Sequence, residues 1–422
     1  MSSKLKSADF NQLLQEKGDA AVLRALDGAE IFTARKAGEA NLAPQENFTF
    51  PIPTPFKWID PRRIPPRGFV YGSHFVRKYA SCTIAPTKTG KTSLLIAELL
   101  SIATGNPLLD ITPREIGNVW LWNGEDPRDD LQARVAAAML AHGLNPEEVE
   151  GRFFIDSGRD QALVLARQTR DGNVIAEPVE KHLIEYLRDL EIIAAAVDPF
   201  VSSHRIPEND NTLIDAVVKS WARIADKANC AIDLVHHPRK TNGSEVTAED
   251  GRGASALISA CRSQRVLNRM TKEQAQELGI PDGQHRRYFR IGGADSNLAP
   301  PLDESRWHQL ITVDLGNGDP EGIGAVKRWK PAGLFEGTAS DVLLKVQKRV
   351  AEGTYRENSQ AADWVGKAIA AEIGADLSDK AGRRRVRRML ETWIKSGALK
   401  VAEHQDKNRE YKKFVEVGQW AS

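Results

Sequence analysis

Ala85-Pro86-Thr87-Lys88-Thr89-Gly90-Lys91-Thr92 is the stretch that decides how this chain folds. It joins an apolar, strand-like run, Tyr79 to Ile84, to a helix-like run, Ser93 to Thr104. A Gly-Lys-Thr loop in that position leaves the first N–H groups of the helix free, and the helix dipole adds positive partial charge there. Residues Ala85, Pro86, Thr87, Lys88, Thr89, Gly90, Lys91, Thr92 and Ser93 would line bound phosphates. Lys91 would reach the β- and γ-phosphates and the Thr92 hydroxyl would ligand a metal ion, so the implied cofactors are ATP and Mg²⁺. One position departs from the usual pattern: Ala85 stands where the first glycine belongs.

Outward from this loop, residues 69–330 alternate strand-like and helix-like runs. The strand candidates are Tyr79–Ile84, Asn118–Trp122, Arg152–Ile155, Ile192–Val197 and Cys230–Val235, and helical runs include Asp130–Ala141 and Thr212–Ala228. Such alternation predicts an α/β fold with a mostly parallel sheet covered on both faces. Further strands are expected around Arg287–Ile291 and His308–Asp314.

Composition sets the frame. The chain has 422 residues, 41% hydrophobic and 27% charged, ordinary for a globular protein and enough for two or three domains. No apolar run approaches a membrane span, and the first residues lack an apolar signal core, so a cytoplasmic protein with no membrane partner is expected. Cys82, Cys230 and Cys261 are isolated in apolar runs and read as buried free thiols. Net charge is +1, but from Asp341 onward it is about +5, so the basic excess lies at the C-terminus.

Three strand ends carry chemistry that a phosphate loop alone does not. The run VWLWNGEDP places Glu125 and Asp126 just past a strand, where parallel sheets line their ligand crevice. Glu125 is the expected water-polarising base; Asp126 is either a helper on Mg²⁺ or the N-cap of the next helix. The run IIAAAVDPF ends on Asp198, the expected second metal residue beside Thr92. The run CAIDLVHHP ends on His236 and His237; either would touch the γ-phosphate, with His236 nearer the strand. Beyond them a long polar loop, residues 238–251, leads to Gly251-Arg252-Gly253, and an arginine between glycines suits an arginine finger acting in trans.

The C-terminal part changes character. Six prolines in residues 51–68 mark an extended lead-in after a polar arm, and residues 331–337 read as a linker. Helices are expected at Asp341–Ala351, Gln360–Glu372 and Asp379–Ser396, with Thr338 and Ser378 as N-caps, followed by strands Ala398–Glu403 and Glu410–Val417. Three helices and a hairpin are the pattern of a winged helix-turn-helix. Arg383, Arg384, Arg385, Arg387 and Arg388 crowd its third helix, the element that would enter DNA, and Lys412 and Lys413 stand behind the wing turn at Gln405–Arg409.

The APTKTGKT loop, the GEDP run, the strand ending in Asp198, the VHHPRK run and the GRGASAL segment, in this order, resemble the RepA-type hexameric helicases of plasmids, a branch of the RecA/DnaB-like ATPases. The resemblance spans about Phe56 to Trp329. It implies a RecA-like P-loop ATPase core, with Glu125 as catalytic carboxylate and Arg252 as the finger supplied by a neighbour; Lys91 of the loop and His236, the expected sensor, complete the catalytic set. It also implies a homo-oligomeric ring, hexameric, whose polar loops bring Arg205, Arg239 and Lys240 to single-stranded DNA. Asp295 occupies the place of a lysine that this family places near the finger, which weakens the expected trans site. The expected organisation is an arm (1–55), the core (56–330), the linker (331–337) and a winged-helix domain (338–422). There Arg383, Arg384, Arg387 and Arg388 would contact DNA. The expected function is an ATP-hydrolysing, DNA-transacting motor, a helicase of a plasmid, phage or other mobile element; the alternative is an ATP-regulated DNA-binding regulator or loader that does not unwind.

Overall fold

The computed structural model describes residues 53–169, 172–175, 177–238, 246, 254–292, 298, 306–331, 333–405 and 409–421. The chain divides between Ile64 and Pro65. Before the division, the Asp60 carboxylate accepts the Arg62 N–H at 3.0 Å and its guanidinium at 2.7 Å, fixing one turn at Pro61–Arg63. Phe56 and Trp58 beside it are exposed.

After the division, β1 (Phe69–Tyr71) and β2 (Phe75–Val76) form a short antiparallel pair. Then β3 (Ala80–Ile84) runs through the loop into α1 (Lys91–Thr104). Next come β4 (Asn118–Asn123), α2 (Arg128–His142), α3 (Pro146–Val149) and β5 (Phe153–Ser157). They are followed by β6 (Ala166–Thr169), β7 (Gly172–Ile175), α4 (Glu177–Asp189), β8 (Ile192–Asp198) and β9 (His204–Arg205). The core closes with α5 (Asn211–Ala228), β10 (Ala231–His236), α6 (Ala254–Ala260), β11 (Ser263–Arg269), α7 (Lys272–Glu277), β12 (Tyr288–Gly292), β13 (Arg306–Val313) and β14 (Ile323–Arg328).

Nine strands make one sheet in the order β14-β13-β12-β11-β3-β10-β8-β4-β5. From β11 to β5 every neighbour is parallel, and β12 to β14 are antiparallel. All seven residues of β8 and all six of β10 are buried, as expected for strands covered on both faces. Period-two alternation sorts the side chains. Val119 and Leu121 pack with Leu95, Leu99 and Ile102 of α1, whereas Trp120 and Trp122 join Val217 and Trp221 of α5 on the other face.

Strand register brings the functional ends to one edge. Ile84 lies opposite His236 and Val266, and Asn123 opposite Asp198. The expected strands are all present, the second, third, fourth and fifth reaching further, to Asn123, Ser157, Asp198 and His236. Elements that the sequence does not announce are β11, α7, β14 and a small sheet of order β7-β6-β9.

The C-terminal part consists of α8 (Val342–Glu352), β15 (Tyr355–Arg356), α9 (Gly366–Ile373), α10 (Lys380–Lys395), β16 (Leu399–Gln405) and β17 (Tyr411–Val417). Val346, Ile369, Val386, Met389, Trp393, Leu399 and Val415 bury one another in a core of their own, and the strands pair in the order β15-β17-β16. Three details differ from expectation. The middle helix begins at Gly366 and not Gln360, because Arg356 N–H donates to Asp363 and Val365 N–H donates to Arg356, holding the preceding residues in a turn. Asp379, not Ser378, caps α10: its carboxylate accepts the Gly382 N–H at 3.1 Å, while Ser378 donates to Asp376. Asp341, not Thr338, stands at the start of α8, and the Thr338 hydroxyl is bonded back to Phe335. Cys82, Cys230 and Cys261 are free and buried. Among the described residues no helix is long and apolar enough to cross a membrane.

Candidate active site

Five parallel strands end beside one another, and each delivers a polar group to the same edge. The central one is β3. After Ile84 the backbone leaves the sheet, and Gly90 at φ 96° turns it into α1. That positive φ favours glycine, and a Cβ there would also press to 2.8 Å on a Leu310 methyl carbon. Ala85 is fully buried among Leu94, Ala97 and Leu267, and its φ is not positive. Its methyl therefore packs into the core away from the loop's cradle, and the departure from glycine carries no steric cost there. Thr89 braces the turn by donating to Pro86 O at 2.8 Å.

Lys91 is buried, and its Nζ donates to the carbonyls of Ala85 (3.2 Å) and Pro86 (3.0 Å), held inside the loop's own curve. Burial pushes its pKa down to about 8 against the opposing pull of Asp198 and Glu125. Thr92 Oγ1 donates to Asp198 Oδ2 at 2.6 Å, although the two residues are far apart in sequence. Asp198 is almost fully buried, and desolvation raises its pKa to about 6 despite the Thr92 bond and the Lys91 charge. Ser93 looks elsewhere: its hydroxyl donates to Gly324 O at 3.2 Å, tying α1 to β14.

At the end of β4, Asn123 is buried, and its Oδ1 accepts the N–H groups of both Glu125 (2.9 Å) and Asp126 (2.8 Å). Gly124 is required because a Cβ there would sit 2.3 Å from Ser202 Cβ. The turn leaves Glu125 exposed, close enough for its charge to act on both Lys91 and Asp198. Asp126 is not the N-cap of α2. That position is Pro127, and the Asp126 carboxylate pairs with Arg134 at 3.3 Å. Its charge also acts on Asp198.

His236 closes β10 and is buried, its carbonyl accepting the Ala85 N–H at 3.2 Å. His237 Nδ1 is buried with no hydrogen-bond partner among the described residues. Burial, then the Lys91 charge and the His236 charge, lower the His237 pKa to about 4; burial likewise lowers His236. Both imidazoles are therefore neutral at pH 7, with His237 offering an unpaired nitrogen.

Two residues here are not visible as functional in the sequence. One is Asn123, whose role needs the turn it holds. The other is Arg269 at the end of β11, which donates to the carbonyls of Thr87 (3.0 Å) and Lys88 and so grips the tip of the loop. Its only sequence signal is its place at a strand end.

Of the remaining candidates, Arg205 in β9 is exposed, and its guanidinium donates to Ser202 O and His204 O. Arg239, Lys240, Arg252 and Asp295 lie outside the described residues. On α10 the structure separates the arginines into two rows. Arg383 and Arg387 are exposed and donate to Leu377 O (3.2 Å) and Ser359 Oγ (3.0 Å). Arg384, half-buried, and Arg388, still exposed, line a crevice against the core.

The site fits a magnesium nucleotide. A positive-φ glycine opens the helix N-terminus, a buried lysine has only loop carbonyls for partners, and a hydroxyl–carboxylate pair stands at the first turn. Among the described residues no group of three His, Cys, Asp or Glu side chains converges as a metal cage. That suits Mg²⁺, which is held by one or two protein oxygens, phosphates and water.

Residues 44–243 match the family described as AAA domain. Among solved structures, the crystal structure of the RadB recombinase is similar at 14% identity and TM-score 0.36, over 56% of this chain and 89% of that one. With the strand ends as described, residues 44–243 are similar to the AAA domain family, and they carry the phosphate loop and the ends of β4, β8 and β10.

Proposed function

We propose that the chain is an ATP-hydrolysing DNA motor, a RepA-like replicative helicase of a plasmid, phage or other mobile element, working as a hexameric ring. The observation that carries the reading is the Thr92–Asp198 contact at 2.6 Å with Glu125 poised at the neighbouring strand end. In this account Lys91 neutralises the β- and γ-phosphates. Thr92 and Asp198 would hold Mg²⁺, which when bound would supply charge stabilisation to the leaving phosphate. Glu125 polarises the attacking water. His236, with His237 beside it, senses the γ-phosphate, and Arg252 of a neighbouring copy completes the site.

The DNA side rests on the C-terminal part. Three helices, the strand order β15-β17-β16 and a third helix bearing five arginines within residues 383–388 support a winged-helix reading. Arg383 and Arg387 are its open row. Arg205 lies in β9 after the end of β8, and Arg239 and Lys240 follow β10 in the sequence; a ring would present them to a single strand.

Steady-state ATP hydrolysis of the full chain with and without single-stranded DNA tests this reading. A motor predicts several-fold stimulation, absent in Lys91→Ala. Lys91-dependent hydrolysis that ignores single strands, together with tight duplex binding, would replace the motor with an ATP-regulated DNA-binding regulator.

A further inference from the structure

A cavity of about 640 Å³ lies between α10 on one side and α7 with residues 331–334 on the other. Arg384, Arg385 and Arg388 line it from α10, and Gln276, Gly279 and Leu334 line it from the core. The walls approach closely: a Cβ on Gly279 would lie 3.5 Å from the Ala381 Cβ. Three guanidinia face one carboxylate, Glu277, among the lining residues. Among the described residues no ion pair reaches any of the three. Arg385 directs its donors to the carbonyls of Leu334 (3.1 Å) and Glu336. Arg384 Nη1 is buried and has no hydrogen-bond partner among the described residues.

An unpaired, buried guanidinium nitrogen costs free energy, and five arginines within residues 383–388 repel one another along one helix. A bound anion removes both penalties. Guanidinium is suited to phosphate through paired N–H donors. The volume falls within the range of small-ligand sites, and the apolar lining of Leu278, Leu334 and Ala381 gives a flat organic group somewhere to rest.

We propose that this crevice is a second phosphate site, separate from the Lys91 loop, which takes a phosphate-bearing nucleotide unit. Because one wall belongs to the ATPase core and the other to the helical C-terminal part, its occupant clamps the two together. The nucleotide unit comes either from a DNA strand or from a free nucleotide or polyphosphate, and the chemistry is shared. The inference rests on the crevice alone and does not depend on hydrolysis at Lys91.

Hydrogen–deuterium exchange on the full-length Lys91→Ala protein reads the crevice without the loop site. The probes are inorganic pyrophosphate and a short single-stranded oligonucleotide. At least one probe slows exchange in both 276–279 and 381–388. Arg384→Gln with Arg388→Gln abolishes that protection and weakens binding of the active probe at least tenfold; Arg383→Gln with Arg387→Gln leaves it. Arg384→Lys with Arg388→Lys keeps the charge, guards against misfolding of the first variant, and shows intermediate protection. Protection by pyrophosphate alone assigns a free phosphate compound, and protection by the oligonucleotide alone assigns a strand. No protection by either, or protection that survives Arg384→Gln with Arg388→Gln, overturns the proposal.

Discussion

Lys91 and Asp198 are two site residues whose ionisation burial shifts in opposite directions. Lys91 is held near a pKa of about 8, so around that pH much of the free protein carries it neutral. Phosphate restores its charge. Nucleotide binding should therefore take up protons at pH 8, and affinity should fall as pH rises further. Calorimetry in buffers of different ionisation enthalpy checks this, and an affinity unchanged from pH 7 to 9 would contradict it. Asp198 is shifted the other way, to about 6. Between its usual 3.8 and about 6 the folded state binds more protons than the unfolded one, so this group makes the fold less stable as pH rises through that window. Above it the full cost remains. Asp198→Asn keeps an acceptor for Thr92 and removes the buried charge. It should raise the stability of the nucleotide-free protein at pH 7 by ~1–3 kcal/mol while abolishing Mg²⁺-dependent hydrolysis. A lower Tm in the variant would refute the burial argument.

At the level of elements, α1 is tied to the sheet from below by a buried ionic network. Arg265 of β11 donates to Glu98 of α1 at 2.6 and 2.7 Å, to Thr83 of β3 at 2.8 Å and to Asp233 of β10 at 3.3 Å. His74, beyond β1, reaches Asp233 at 3.0 Å, and burial keeps its imidazole neutral. Burial alone would raise the Asp233 pKa, but His74 and Arg265 outweigh it and hold it at about 2. Removing one member strands the others, so Glu98→Ala should cost ~3–5 kcal/mol in a denaturant titration. A drop under ~1 kcal/mol would show that water enters and replaces the carboxylate. Nothing in the sequence announces this network, because its members are scattered over residues 74 to 265 and only the strand order assembles them. The phosphate loop, by contrast, is legible because its meaning is local: strand, turn and helix follow one another in the chain. Glu125 and Asp198 are legible because each ends an apolar run. Asn123 and Arg269 are not, since neither residue type signals a role until the turn or loop it grips is seen. The strands β6, β7 and β9 are too short and too polar to stand out from a loop.

For the whole molecule, the alternation of runs is enough to read a parallel sheet, but not the position of its strands. Insertion of β10 between β3 and β8, which sets His236 beside the loop, is a fact of topology. The same holds for α10. Its arginines look uniform in sequence, yet the fold leaves Arg383 and Arg387 exposed away from the crevice, half-buries Arg384 in it and sets Arg388, itself exposed, at its edge. DNA binding should divide accordingly. Arg383→Gln with Arg387→Gln should weaken duplex binding and reduce the slope of log K against log salt by about one for each phosphate no longer neutralised. An unchanged slope would remove the open row from the DNA interface.

In the proposed mechanism Glu125, just past the end of β4, activates water above the phosphate loop without holding the nucleotide. Glu125→Gln in the full chain tests it most directly, with ATP binding and steady-state hydrolysis measured on the same preparation. The account predicts ATP affinity within a few-fold of the unmodified chain and hydrolysis reduced by at least ~100-fold. Hydrolysis that survives the substitution, or affinity that collapses with it, would contradict the account.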